Sequence, residues 1–176
     1  MSAKPLRVLF ASRAYESPHT EGGYLLLKDL AARAAADPAI DASVLSSSKT
    51  RDASGGVTLL PAFSRGGWGL WPAVQFARAL RRWAATSDIV HTAHVPTSTN
   101  SAVLRHVRGR ATSGGTRFVQ TVTALPERVK LRRNLFWGDA IVCLNDAASD
   151  EARRFHDNVL TIAPAVRPDR LQERTP

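Results

Sequence analysis

The sequence contains very little cysteine: Cys143 is the single one among 176 residues. One thiol excludes an intramolecular disulfide framework and a zinc site built from several cysteines. The sequence also has no apolar run near the ~18 residues that a membrane-spanning helix needs. The short apolar run after Lys4 carries Arg7 and is followed by no small-residue cleavage site, so it predicts a first strand and not a secretory signal. The expected location is the cytoplasm.

Two common phosphate-binding motifs are also missing. The sequence has neither a G-x-G-x-x-G dinucleotide fingerprint nor a Walker loop. It does have Gly22-Gly23 at the start of a helical pattern, after the loop that follows the first strand. Paired glycines there let a backbone approach an anion, and the amino end of a helix favours phosphate. A plain turn explains the pair equally well.

Acidic residues are outnumbered, with 15 Asp and Glu against 24 Lys and Arg and a net charge of +9. Most of the basic residues are arginine, which suits bidentate contact with phosphate or carboxylate. Such a surface fits nucleic acid, anionic lipid or a diphosphate ligand, and also an ordinary solvated surface. Because no recognised nucleic-acid-binding motif is present, nucleic acid is not an expected partner.

Short apolar runs alternate with longer amphipathic runs along the chain, whose length favours one domain. Helices are predicted at 22–36, 70–85, 97–108, 127–137 and 146–155, and strands at 6–11, 41–46, 56–60, 87–91, 117–122, 139–144 and 159–163. Strands separated by helix-length segments imply right-handed crossovers and a parallel sheet. The expected fold is an α/β doubly wound sandwich, in which ligands bind beyond the carboxyl ends of the strands.

Two histidines, His91 and His94, come at the end of one predicted strand. Such a pair could orient a substrate hydroxyl or act as acid or base. A metal site would need a third ligand, and none is obvious nearby. A packed strand residue is the favoured interpretation of His91, whereas His94 lies further into the loop and is the better functional candidate.

Three polar residues follow other predicted strands. Thr123 and Glu127 come after the strand at 117–122 and could hydrogen-bond a polar ligand, although Glu127 could equally cap the next helix. Asn145 could bond a ligand or cap the helix that begins beside it, and capping is favoured.

Two basic segments carry aromatic residues. The first has Arg78, Arg81 and Arg82 on one helix face, with Phe76, Trp83, Trp68 and Trp71 nearby. The second ends in Phe136-Trp137 and contains Arg128, Lys130, Arg132 and Arg133. Basic residues interleaved with tryptophan suit a membrane interface or an anionic acceptor, and a solvated face is the ordinary alternative.

The order of several short motifs resembles one known family. They are RVLF at 7–10, GG at 22–23, LA at 30–31, SDIVHTAH at 87–94, FVQTV at 118–122, GDAIVCL at 138–144, DE at 150–151 and LTIAPAVR at 160–167. Together they resemble the N-terminal half of a group 1, retaining glycosyltransferase of the GT-B fold. The resemblance spans nearly the whole chain, and it rests on order and spacing because each motif is short.

The resemblance implies a Rossmann-like acceptor-binding domain at 1–163 and the start of an interdomain linker at 164–176. The implied enzyme transfers a sugar from a nucleotide-sugar, its co-substrate, to a small-molecule or lipid-linked acceptor, with no other cofactor and no metal. Gly22-Gly23 would approach the donor diphosphate. The chain alone would be inactive, because its partner, the C-terminal donor-binding domain, would be missing.

The sequence departs from the family pattern at two places. Thr123 stands where many relatives have a histidine that contacts the transferred sugar, and the linker has Pro164-Ala165 in place of Asn-Gly. A second hypothesis is therefore kept: a non-catalytic Rossmann-like module that binds an anionic partner or the inner membrane surface, peripherally, through its Arg/Trp helices.

Overall fold

The computed structural model describes residues 4–11, 22–46, 56–62, 70–111, 114–126 and 130–163. Within these ranges strands and helices alternate as the sequence predicts. In chain order they are β1 (Leu6–Ala11), α1 (Gly22–Ala35), β2 (Ile40–Ser46), β3 (Thr58–Pro61), α2 (Leu70–Ala84), β4 (Ile89–His94), α3 (Ser98–Ala111), β5 (Arg117–Val122), β6 (Ala140–Cys143), α4 (Asp146–Arg153) and β7 (Val159–Thr161).

All neighbouring strands pair in parallel, and the order across the sheet is β3-β2-β1-β4-β5-β6-β7. The chain therefore steps outward from β1 in one direction, returns to place β4 beside β1, and then steps outward in the other direction. This is the doubly wound α/β arrangement expected from the sequence. Its topological switch point lies between the carboxyl ends of β1 and β4.

The two faces of the sheet carry separate cores. Leu9 and Ala11 of β1 belong to one cluster with residues of α2 and α3, and Val8 and Phe10 belong to another with Leu27 of α1. The alternation follows from the two-residue side-chain period of a strand. The faces are named here the α2–α3 face and the α1 face. A third cluster joins β6, α4 and the 135–136 turn.

One predicted helix is wrong. In the described part of 127–137, which begins at residue 130, the structure has only a 3₁₀ turn at Arg133–Leu135. Leu135, Phe136 and Trp137 are consecutive and all at most 3% exposed. A helix turns about 100° per residue and would direct one of three successive side chains away from the core. An irregular turn buries all three.

The inward face of α2 is formed by Phe76, Leu80 and Ala84, which are buried, whereas Val74 is partly exposed. Of the helices in the described ranges, none is long and apolar enough to cross a bilayer. The predicted linker at 164–176 lies outside the described residues.

Candidate functional site

The switch point is bordered by Ala11, the last residue of β1, and His94, the last residue of β4. The helix α1 begins at Gly22, as predicted, and leads from the carboxyl end of β1 to the amino end of β2. Its amino end therefore lies at the same sheet edge as His94. Residues 12–21, which connect β1 to α1, lie outside the described ranges.

His91 and His94 face opposite sides of the sheet. They lie three positions apart on one strand, and side chains at odd spacings point to opposite faces of a sheet. His91 packs against Phe10 on the α1 face, with ring centroids 5.5 Å apart. His94 stacks on Trp137 on the α2–α3 face, with centroids 6.2 Å apart and planes at 21°. The two imidazoles therefore cannot share a metal ion or one ligand atom.

His91 has the environment of a packed strand residue. Its Nε2 lies 2.8 Å from Oγ1 of Thr121 on the neighbouring strand β5. Burial lowers the pKa of His91 to about 4, because desolvation disfavours the charged imidazolium. The ring is therefore neutral at pH 7 and has a hydrogen-bond partner within the fold.

His94 differs in having a buried Nε2 with no hydrogen-bond partner in the described part of the chain. Burial lowers the pKa of His94 to about 4, so this ring is also neutral at pH 7. A neutral imidazole offers one donor and one acceptor nitrogen. The Nε2 atom can thus exchange a hydrogen bond with an uncharged hydroxyl.

Two more polar atoms near His94 are buried and lack a partner among the described residues: Oγ1 of Thr92 and Nε1 of Trp137. Thr92 lies two residues before His94 and so points to the same face. Each unpaired buried polar group costs about 1–3 kcal/mol. Three such groups around one strand end are typical of a preformed polar binding site, because a ligand can form the hydrogen bonds that the fold does not supply.

The position of Trp137 is fixed by Gln120, a fully buried amide on β5. The Gln120 Nε2 donates to the Leu135 carbonyl at 3.0 Å, and its Oε1 accepts from the Trp137 N–H at 3.0 Å. The turn then approaches β5 so closely that a Cβ at Gly138 would lie 3.1 Å from the Gln120 backbone nitrogen, and it would lie 2.6 Å from the Ala140 carbonyl oxygen of β6. We name this arrangement the Gln120 tie. It holds the ring on which His94 stacks.

Sequence reasoning missed Thr92, Gln120 and Trp137 as parts of this site. Gln120 gave a usable signal, since it is the one amide inside the predicted strand 117–122. A buried amide in a central strand must find partners, and the nearest candidates are backbone groups of the next connection. Trp137 gave a contrary signal, because it follows basic residues and so suggested an exposed surface.

Of the other polar candidates, the structure places Thr123 beside His94 and Asn145 at the start of α4. Thr123 directly follows β5, and its backbone N–H donates to the His94 carbonyl oxygen at 3.4 Å. Asn145 follows β6, and its Oδ1 caps α4 by accepting from the Ala148 N–H at 2.8 Å. The side-chain oxygen of Asn145 therefore already accepts a hydrogen bond within the fold. Glu127 lies outside the described residues.

The two basic segments have different surfaces. On α2, Arg78, Arg81 and Arg82 are exposed, and Trp71 is 62% exposed. In the second segment Lys130, Arg132 and Arg133 are exposed, but Phe136 and Trp137 are each 3% exposed. The two aromatic residues of the second segment are therefore packed inside the fold. Trp68 and Arg128 lie outside the described residues.

Fold and site together define the class of the protein: a doubly wound α/β domain whose switch point has polar groups without a partner among the described residues. Within the described residues, no group of three or more His, Cys, Asp or Glu side chains could hold a metal ion. Comparison with known proteins adds no closer assignment, since neither a protein-family model nor a curated protein matches the chain.

Proposed function

We propose that the chain is the acceptor-binding domain of a retaining glycosyltransferase, which uses a nucleotide-sugar as donor. The observation that supports this proposal most is the neutral, buried and unpartnered Nε2 of His94 at the carboxyl end of β4. It lies beside the switch point, where doubly wound sheets bind their ligands. The order of sequence motifs supports the same assignment.

The chemistry at His94 suits a sugar hydroxyl better than a phosphate. A hydroxyl both donates and accepts, so it can pair with a neutral imidazole and with the hydroxyl of Thr92. A phosphate would call for a positive charge, and a pKa of about 4 leaves His94 uncharged at pH 7. The acceptor's hydroxyls are therefore assigned to the His94 side of the crevice.

The donor diphosphate is assigned to the amino end of α1, where Gly22 and Gly23 form the first turn. Free backbone N–H groups and the helix dipole there favour negative charge. In the reaction the diphosphate leaves with additional charge, which needs electrostatic stabilisation. The rest of that stabilisation would come from a donor-binding domain, whose closure would exclude water.

Imidazole NMR provides the direct test. The chain is titrated with neutral sugars and with nucleotide-sugars while the side-chain ¹⁵N resonances of both histidines are followed. We expect the His94 Nε2 resonance to move and the His91 resonances to stay, because Thr121 already bonds His91. His91 is thus an internal control within the same sample.

A transfer assay completes that test. The chain is joined to any domain encoded downstream of Pro176 and incubated with nucleotide-sugars and acceptors. Loss of turnover in a His94→Gln variant that still folds would support the proposal. A panel in which no sugar or nucleotide-sugar moves the His94 resonance, together with no transfer by the joined protein, would overturn it.

A second candidate function is a non-catalytic module that binds an anionic partner through α2. The observation that favours it is the solvent face of this helix, which exposes Arg78, Arg81 and Arg82. No acidic residue occurs in α2. Salt-sensitive binding of the chain to a soluble polyanion such as polyphosphate tests this candidate, and its absence would reject it.

A further inference from the structure

The exposed side of α2 is a continuous surface. At about 100° of turn per residue, its exposed residues fall within an arc of about 100°. We name this set the α2 stripe: Trp71, Arg78, Arg81 and Arg82. Trp71 is 62% exposed, and the three arginines are exposed as well.

The stripe is fixed in place by the opposite side of the helix. Phe76, Leu80 and Ala84 are buried in the core that α2 shares with the sheet and α3. The stripe is therefore a rigid surface and not a side of the helix that could turn inward. The guanidinium of Arg82 lies over the Trp83 ring, 5.5 Å from its centroid. That contact keeps one charge close to the helix.

The charge of the stripe is not neutralised locally. No salt bridge of the described residues involves Arg78, Arg81 or Arg82. The acidic residue nearest in sequence after the helix, Asp88, is already bonded to Arg7 at 2.8 Å. An anionic partner therefore meets three available guanidinium groups and no opposing carboxylate on this helix.

The position of Trp71 relates the stripe to the candidate site. The helix α2 leads from the carboxyl end of β3 to the amino end of β4, so Trp71 lies at the carboxyl edge of the sheet. His94 ends β4 at that same edge. Arg82, eleven residues later, lies about 16 Å away towards the opposite edge at 1.5 Å per residue.

We propose that the α2 stripe lies on an anionic phospholipid bilayer, with Trp71 at the headgroup level and the arginines on lipid phosphates. The inference rests on the second candidate function, an anionic partner at this helix. A lipid surface fits because tryptophan places an apolar ring and a polar N–H at a membrane interface. Arginine stems likewise bury their methylenes while the charged heads stay in water.

Lipid is favoured over nucleic acid because the stripe combines its charge with an exposed indole at one end of the helix, and no nucleic-acid motif accompanies it. In this orientation the carboxyl edge of the sheet, where His94 ends β4, is the edge at the Trp71 end of the stripe.

Vesicle sedimentation tests the proposal on the full chain. The probes are vesicles of phosphatidylglycerol and phosphatidylcholine in equal parts, and vesicles of phosphatidylcholine alone. We expect the chain to sediment with the anionic vesicles at low salt and to be released as salt is raised. We also expect the tryptophan emission to shift to the blue with anionic vesicles, and this shift to be lost in Trp71→Ala.

Two triple variants that remove equal charge separate the stripe from general basicity. The first variant replaces Arg78, Arg81 and Arg82 by serine. Each basic residue near a membrane changes binding about fivefold, so we expect the three replacements to weaken vesicle binding about 100-fold. The control replaces Arg117, Arg132 and Arg133, which are exposed elsewhere. We expect the control to bind within about threefold of the parent. Circular dichroism checks that both variants fold.

Each other outcome is decisive. Binding to polyphosphate without binding to anionic vesicles would overturn the lipid assignment and leave the anionic-partner function standing. Binding to neither probe would overturn both. Equal loss in the two triple variants would show that net charge, and not the α2 stripe, drives adsorption, and this too would overturn the proposal.

Discussion

His91 and His94 belong to one strand and have the same shifted pKa, yet they stand in opposite situations. His91 lies on the α1 face and is bonded to Thr121. His94 lies on the α2–α3 face and stacks on Trp137, and its Nε2 has no hydrogen-bond partner in the described part of the chain. Burial alone explains both pKa values. What marks a candidate site here is therefore the missing partner and not the perturbed titration.

The largest expected effect comes from removing the support of His94. Trp137→Ala should lower the free energy of unfolding by about 3–5 kcal/mol, because a large buried ring is lost from the core. In the folded variant the pKa of His94 should rise towards 6.5 while that of His91 stays near 4. Urea unfolding and NMR titration measure the two effects. Equal movement of both pKa values would contradict the separation of the two faces.

Acidification should destabilise the protein through both histidines. Each pKa is about 4 in the folded chain and 6.5 in the unfolded chain, so the unfolded chain binds more protons between these values. Stability is therefore highest above pH 6.5 and falls as the pH is lowered towards 4. Between pH 7 and 5 the loss should be about 2 kcal/mol per histidine.

The variants His91→Gln and His94→Gln divide this pH effect between the two faces. Each should remove about half of the stability loss between pH 7 and 5, measured by urea unfolding at both values. A variant that keeps the full loss would show that its histidine is not held neutral in the folded state.

Thr121→Val tests the hydrogen bond of His91, the histidine that has a partner within the fold. The substitution keeps the shape of the side chain and removes the partner of His91 Nε2. Leaving that buried nitrogen unpaired should cost about 1–3 kcal/mol in unfolding free energy. A cost below about 0.5 kcal/mol would mean that the hydrogen bond contributes nothing net.

Thr92→Val is the matched change on the other face and should have the smallest effect. Its Oγ1 has no partner among the described residues, so no hydrogen bond is lost. We expect stability equal to that of the parent or slightly higher, together with weaker binding of any sugar that moves the His94 resonance. A clear loss of stability would show that Oγ1 has a structural partner.

The sequence allowed the fold to be predicted well. The alternation of apolar strands and amphipathic helices predicted every strand of the described sheet and its parallel pairing. The preference for a capping role at Asn145 agrees with the observed bond to the Ala148 N–H. These features depend on local patterns, which a sequence displays directly.

The site was less predictable because it depends on contacts between distant segments. His94 was singled out because it was predicted to lie in the loop after its strand, whereas in the structure it is the last residue of β4. Its stacking partner comes from a turn 43 residues later. That turn was predicted as the end of a helix at 127–137. Only the tertiary fold reveals that Gln120 draws the backbone of this turn against β5.

The Gln120 tie has a consequence for how the domain could be redesigned. The tie uses backbone groups of Leu135 and Trp137 and the close packing of Gly138, and it involves neither Thr92 nor His94. The turn that carries Trp137 is thus held in place by contacts that do not use the side chains of Thr92 and His94. Ligand preference could be changed by exchanging Thr92 and His94 on an unchanged scaffold, whereas a substitution at Gly138 would disturb the scaffold itself.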